Sequence, residues 1–316
     1  MTVMDRSDAS PQLPGMPEEP DDKLRLSFSR VDTYRQCALR FRYAYIDKLP
    51  GQPSPTLSWG TSLHRAIETW WTQKLPEAPP VDVLLQSLYD HWDDSGFVGM
   101  PREEKLAWYR HAQDVLRRHH DRYAAVFVPA VASEEWFQID VGDDVEVVGS
   151  IDHVARTPGG GIGIVDWKTS KRAKTKQDVR GSLQLAIYAL AAVELWGQDP
   201  EWVALDFVVS GVRVTVARED IDTDAALATI HEVAGRVREE LFAPNPSRLC
   251  DWCDFRGLCP AFQGDGPDVA GRAVVELASL RRKHARDEAR IAELEALVRD
   301  RLGPEAVMEV GEGAGR

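Results

Sequence analysis

No apolar run in this 316-residue chain approaches the roughly 20 residues needed to cross a bilayer, so no membrane helix is expected. The opening MTVMDRSDASPQLPGMPEEPDD contains no apolar core; a secretory signal is not expected, and a cytoplasmic protein is. No G-x-x-x-x-G-K-[ST] occurs, which excludes a P-loop ATPase. No internal repeat is visible. Positive charge is in deficit, 38 Lys and Arg against 51 Asp and Glu, and the net charge of −13 argues against a general nucleic-acid coat. Cysteine is scarce: Cys37, Cys250, Cys253 and Cys259 are the whole set. The length suits one large domain, or one domain with appendages.

The basic residues that are present are clustered. Lys171, Arg172, Lys174 and Lys176 follow directly on an acidic stretch, and Arg25, Arg30, Arg35, Arg40, Arg42 and Lys48 populate the first ordered segment. This pattern allows a local basic groove on an acidic body, the alternative being solvated faces.

The acidic stretch is VVGSIDHVARTPGGGIGIVDWKTS, which reads as two strands joined by a Pro-Gly-rich turn. Asp152 is expected to end the first strand, and Asp166 and Lys168 the second. Side chains two apart on a strand share a face, so Asp166 and Lys168 project together, and Asp152 joins them if the strands pair. An Asp-x-Lys triplet alone arises readily by chance. Here, however, GIGIVDWK is apolar on both faces until Asp166, which suits a central strand covered on two sides, and charges at the end of such a strand need partners or a metal. Two acids beside an ammonium make a divalent-cation site with equipment for cutting phosphodiesters.

Cys250, Cys253 and Cys259 form a C-x2-C-x5-C group, with Cys37 far upstream. In a cytoplasmic protein such a group points to metal rather than disulfides. Four thiolates hold either zinc or an iron–sulfur cluster. The split into one and three departs from the two close pairs of a zinc ribbon and suggests a group that staples two ends of a domain. Cys37 also lies on the apolar stripe Tyr34, Cys37, Ala38, Phe41, Tyr45 of a predicted helix, where a core role is equally natural.

Along the chain, residues 1–23 read as a disordered Pro-rich leader. Residues 27–46 read as a helix opened by Ser29 and Asp32, and 60–75 as a second, with Leu63, Ala66, Ile67 and Trp70 on one face and His64 at its border. Residues 81–127 read as helical, with RRHHDR as a polar face rather than a ligand set. Strands follow from Glu135 as a meander, then a helix over 178–197 whose Gln184 and Tyr188 share a face. A hairpin and a helix near 221–242 complete this part. From 270 to 302 the chain resembles an imperfect coiled coil, with Leu277, His284, Ile291 and Val298 at seven-residue spacing, Leu280 and Leu294 offset, and Asp287 and Arg301 interrupting. It is a candidate arm for a partner or self-association. Residues 303–316 read as a flexible tail.

Taken in order, the Cys37 helix, G-T-S-L-H, V-V-G-S-I-D, I-V-D-W-K-T, Q-L-A-I-Y and C-x2-C-x5-C-P resemble the PD-(D/E)XK nucleases of the RecB/AddB type with an iron–sulfur cluster, a group that includes the CRISPR adaptation nucleases. The resemblance covers roughly Leu24 to Phe262. It implies an α/β, restriction-endonuclease-like core in residues 24–265, a central mixed sheet flanked by helices, with a cluster closing the N- and C-terminal parts. It implies that Asp152, Asp166, His64 and the backbone carbonyl of Trp167 hold Mg²⁺ or Mn²⁺. Lys168 would orient the attacking water, and Gln184 and Tyr188 would brace the site and touch the DNA. Cys37, Cys250, Cys253 and Cys259 would ligate a structural [4Fe-4S] cluster, with zinc as the alternative. Ile151 stands where Pro often precedes the first acid, and Ala38 follows Cys37 where many relatives have Pro. The implied function is a metal-dependent DNA nuclease, a single-strand exonuclease of repair or recombination. Without a P-loop it acts alone or with a separate helicase or recombination partner. The alternatives are a CRISPR spacer-acquisition nuclease, or a nuclease-fold DNA-binding or scaffold protein without catalysis.

Overall fold

A computed structural model describes residues 23–265, together with helical positions 277, 280, 281, 284 and 287–297. Residues 1–22 of the predicted leader and the predicted tail lie outside the described residues, as do Val298 and Arg301 of the C-terminal heptad pattern. Leu277, Leu280, Ile291 and Leu294 of that helix are exposed. The chain divides into two compact units, one holding residues 23–35 and 52–241, the other 36–51 and the residues from 242 onward.

The first unit is built on a six-stranded mixed sheet. Its strands are β1 (Leu24–Leu26), β2 (Ala132–Asp140), β3 (Val145–Arg156), β4 (Ile162–Lys168), β5 (Trp202–Phe207) and β6 (Val212–Ala217). The predicted meander is present as antiparallel pairs β2–β3 and β3–β4, and the predicted hairpin as β5–β6. β4 and β5 run parallel, joined by a helical crossover. β1, a strand of three residues too short for periodicity to reveal, runs parallel to β3.

The register of β3 matters most for the site. One of its edges carries β2. The other carries β1 along Val145–Val147 and β4 along His153–Arg156. Asp152 sits at the lip of the gap between β1 and β4. It does not end its strand, as the sequence suggested; β3 continues four residues further because its pairing with β4 begins only at His153. β4 itself is buried until Lys168, as its unbroken apolar pattern implied. Gly163 is required within it, since a Cβ there would lie 2.2 Å from the Trp202 ring.

Several predicted helices are subdivided. The segment over 27–46 becomes α1 (Phe28–Gln36), α2 (Ala38–Phe41) and a π turn (Arg42–Ile46), because Cys37 is extended, at φ −163° and ψ 111°. Its opening cap is Ser27, whose Oγ accepts the Arg30 N–H at 3.2 Å, rather than Ser29. α3 (Pro55–Trp71) starts earlier than predicted, at a Ser54 cap followed by Pro, a residue already shaped for the first helical position. Its expected apolar face, Leu63, Ala66, Ile67 and Trp70, is fully buried. Residues 81–127 divide into α4 (Val81–Asp90) and α5 (Arg102–Tyr123), separated by the turn-forming SGFVGMP. The crossover contains α6 (Lys176–Arg180) and α7 (Leu183–Trp196), and α8 (Thr223–Arg238) follows β6. The α3, α4 and α5 layer shares one core with Val165 and Trp167 of β4.

RRHHDR is a polar face only in part: Arg117, Arg118 and Asp121 are exposed, but the other side of the helix turns inward. His119 is buried and accepts the Trp71 indole N–H at 3.2 Å, while Arg122 and the Tyr123 hydroxyl both donate to buried Asp206. These polar groups lie on the stripe of Ala112, Val115 and Leu116, which carries them inward.

In the second unit, Leu39, Tyr43 and Phe255 form a small core against which Cys37, Cys253 and Cys259 pack. The Tyr43 hydroxyl donates to the Leu258 carbonyl at 3.2 Å, and Asn245 Nδ2 to the Gln36 carbonyl at 3.0 Å.

Candidate active site

Asp166 and Lys168 project to the same face of β4, their charges 2.6 Å apart. Asp166 Oδ2 nevertheless has no hydrogen bond of acceptable angle, so this is a charge contact on an otherwise unsatisfied buried oxygen. Lys168 Nζ donates to Gln184 Oε1 at 2.7 Å, and Gln184 Nε2 donates to the Tyr188 hydroxyl at 2.9 Å. The predicted shared face of Gln184 and Tyr188 thus meets the predicted strand end. Burial, then the charges of Asp166 and Asp152, raise the Tyr188 phenol well above its ordinary range, which keeps it neutral.

The β3–β4 ladder stops at His153 and Val165. One step beyond, Asp152 Oδ2 accepts the backbone N–H of Trp167 at 2.8 Å, replacing the lost strand partner. Burial, then the Asp166 charge, push the Asp152 carboxyl well above the usual carboxylate range, against the pull of His64 and Lys168. Two carboxylates crowded in a buried place present the electrostatic demand that a divalent cation answers.

His64 reaches this place from α3. Gly60, one turn earlier, lets the helix approach the residues after β4; a Cβ there would stand 3.2 Å from Thr169 Oγ1. His64 Nδ1 lies 3.6 Å from Asp152 Oδ2 and 3.9 Å from Glu134 Oε1. Burial lowers the imidazole pKa, but Glu134, Asp152 and Asp166 together outweigh it, and the net shift is upward.

Glu134 is the residue that sequence reasoning missed, since the strand was begun at Glu135. The neighbouring pairs Ser133–His153 and Glu135–Ile151 place Glu134 opposite Asp152 in the register. Its φ of 48° is unusual for a non-glycine residue in a strand. Its Oε2 accepts the Ser150 hydroxyl at 3.1 Å. Burial raises its pKa, but His64 and Ser150 outweigh this and hold it low. Ligand atoms of His64, Glu134 and Asp152 lie within 4.8 Å of one another, which makes them the one such set among the described residues. An open cleft lined by His64, Arg65, Glu68, Glu134, Trp136 and Thr169 leads to them. Lys171, Arg172, Lys174 and Lys176 are exposed on and just after the loop that follows β4.

The four cysteines are half-buried, unpaired as disulfides, and line one pocket of the second unit. The backbone N–H of Asn245 donates to Cys37 Sγ at 3.5 Å and that of Ser247 to Cys250 Sγ at 3.2 Å.

Among relatives, the Gene 69 protein of Mycobacterium phage D29 is 24% identical over 277 residues, covering 75% of this chain and 97% of the relative. The Gene 69 protein of Mycobacterium phage L5 is 23% identical over 289 residues, covering 75% and 96%. The solved structure of SSO0001 aligns over 78% of this chain and 89% of its own, at 15% identity and a TM-score of 0.39. The family model of the PD-(D/E)XK nuclease superfamily matches residues 25–260, most of the chain and all of the strands but the first residue of β1. The chain therefore belongs to the PD-(D/E)XK nuclease superfamily.

Proposed function

We propose that this protein is a metal-dependent DNA nuclease that hydrolyses phosphodiester bonds in single strands or at free ends, in the manner of an exonuclease of repair or recombination. The observation that carries the reading is the connected chain Asp166, Lys168, Gln184, Tyr188 beside Asp152, in a protein of this superfamily. Asp152, Asp166, His64 and the Trp167 carbonyl would hold Mg²⁺ or Mn²⁺. The unsatisfied Asp166 oxygen and the crowded, buried carboxylates fit such an ion. A divalent cation here would lower the pKa of water and neutralise the scissile phosphate.

The chain's own groups supply the rest. Lys168 presents a fixed ammonium to the attacking water and to the charge that develops on phosphorus oxygens. Gln184 holds that ammonium in place. The Tyr188 oxygen accepts from Gln184, which leaves its O–H to donate to a phosphate. Lys171, Arg172, Lys174 and Lys176 would follow the backbone of the strand.

The four cysteines would carry a structural [4Fe-4S] cluster. N–H donors aimed at the sulfurs suit thiolate ligands of a cluster.

The test is product analysis on DNA labelled separately at each end, with Mg²⁺ or Mn²⁺. Stepwise release from single-stranded ends is expected, and none from Asp166→Ala or Lys168→Ala. Full cleavage by either variant would refute the assignment.

A further inference from the structure

Side chains alternate along β2. Phe137 and Ile139 turn to the buried face, and Trp136, between Phe137 and Glu135, turns the other way. Its cross-strand partner is Ser150, too small to cover an indole. Trp136 is 36% exposed, and no other ring stacks on it among the described residues. Instead it forms part of the wall of the open cleft, about 780 Å³ in volume, that leads to His64 and Glu134. Two strand residues separate Trp136 from Glu134, roughly 6.6 Å of backbone, or about two nucleotide steps of 3.4 Å.

The facing wall is α3. Leu57, Thr61, His64, Arg65 and Glu68 follow one another at three- and four-residue spacing and line the cleft, on the side of the helix away from its buried face. Leu57, in the first turn, is 68% exposed, so each wall carries one large apolar side chain in the open. Charge in the cleft is balanced. Arg65 Nη1 is 2.6 Å from Glu68 Oε2, and His64 faces Glu134. The uncompensated cations begin two residues beyond Thr169, at the far lining of the cleft, with exposed Lys171, Arg172, Lys174 and Lys176. A phosphate chain is drawn to that loop. The cleft offers the opposite: flat apolar surface, hydroxyls and no surplus charge, which suits the faces of bases.

We propose that Trp136 is a stacking platform for an unpaired base of the substrate, and that it makes this centre prefer single-stranded DNA to duplex. The proposal rests on the nuclease reading of the same centre and assigns its strand preference to a residue outside the sequence motifs. A base inside a duplex is covered on both faces by its neighbours and cannot take an indole without being unstacked. A base in a single strand presents its face freely, whatever its identity, so the preference is for strandedness rather than sequence. Trp136 is a positioning residue here: it holds the strand beside the carboxylates and takes no part in bond cleavage.

The test measures binding of the full chain to end-labelled oligonucleotides without divalent metal, by fluorescence anisotropy. The set comprises a single strand, the blunt duplex, and single strands with one abasic nucleotide at each position in turn. One base–aromatic stack corresponds to about 5- to 150-fold in affinity. Wild type is expected to bind the single strand more tightly than the duplex and to lose about that factor at one abasic position. Trp136→Ala should bind the intact single strand weaker by the same factor, bind duplex within about twofold of wild type, and show no further loss at that abasic position. Trp136→Phe should keep the abasic penalty, and Trp136→Leu, apolar but without a flat ring, should not; the latter pair decides the matter if the Ala variant folds poorly. An abasic penalty retained in Trp136→Ala or Trp136→Leu, or a wild type indifferent to abasic sites, would overturn the platform. If wild type still cleaves DNA with Mn²⁺, the nuclease reading survives that failure; a wild type that neither binds nor cleaves DNA would overturn both.

Discussion

Asp152 accepts the backbone N–H of Trp167 at 2.8 Å, and this bond joins the strand bearing the first acid to the strand bearing the second. It falls one residue beyond the last ladder pair between β3 and β4. The side chain therefore does the work of a strand at the point where the strands part. A buried N–H that would otherwise be orphaned is satisfied, and one carboxylate oxygen of the site is fixed in position.

This dual role separates two variants. Asp152→Asn keeps an acceptor for the Trp167 N–H and replaces a carboxyl that burial and the Asp166 charge hold back from ionising, so stability should hold or rise while Mn²⁺ binding and cleavage are lost. Asp152→Ala strands the N–H and should be about 1–3 kcal/mol less stable than the Asn variant. Urea unfolding of the two proteins measures the difference. Equal stability would show that the bond carries no weight.

Lys168 and Gln184 should behave as one device. Removing a preorganised cation costs about 10²–10³ in rate, and Lys168→Ala should lose that much in single-turnover cleavage. Gln184→Ala leaves the ammonium present but unheld, and about a tenfold loss is expected. The double variant should be scarcely worse than Lys168→Ala, since contacting residues of one network do not add. Lys168→Arg should not rescue, because a planar fork replaces a compact ammonium. Additive losses would place Gln184 in a separate role.

Much of this arrangement was legible from residue spacing. The meander followed from alternation and turn residues, and the shared face of Asp166 and Lys168 from the strand period. The Gln184–Tyr188 pair followed from the helix period. Glu134 was not legible, because its place depends on the register between β2 and β3, which no local pattern states. The break at Cys37 escaped because the residues around it carry no Gly or Pro and keep an apolar stripe. His119 was misread because RRHHDR is polar in composition. Its spacing from Val115 and Leu116 was the better signal, and that spacing puts it indoors.

The cysteine unit should respond as a body. Tyr43, Leu39 and Phe255 form a small buried apolar core among its described residues, and a small core needs a staple. Cys253→Ser should abolish the visible iron–sulfur absorbance of anaerobically purified protein. It should also raise hydrogen exchange and protease cleavage in residues 36–51 and 242–262 ahead of the six strands. A colourless wild-type protein with stoichiometric zinc would identify the metal as zinc. Unchanged protection in Cys253→Ser would deny the group any structural role.

His119 and His153 should weaken the fold in acid. Burial above all pushes both down to about 3, with Arg122 assisting at His119 and Arg213 at His153. In the unfolded chain they titrate near the ordinary 6.5. Between these values the unfolded state binds protons that the folded state refuses. Stability is therefore complete above about pH 6.5 and is lost as pH falls toward 3, at up to about 1.4 kcal/mol per pH unit for each histidine. His64 runs the other way, its raised pKa favouring the fold below the unfolded value and losing that support as pH rises through the folded one. The sign distinguishes the buried pair from the site. His119→Phe removes the Trp71 acceptor, a loss of about 1–3 kcal/mol at every pH. The same variant should also flatten the acid slope by about 1.4 kcal/mol per pH unit, because one refused proton is gone. Urea unfolding at a series of pH values from 7 down to about 4 separates the two effects, since the constant loss shifts the curve and only the missing proton changes its slope.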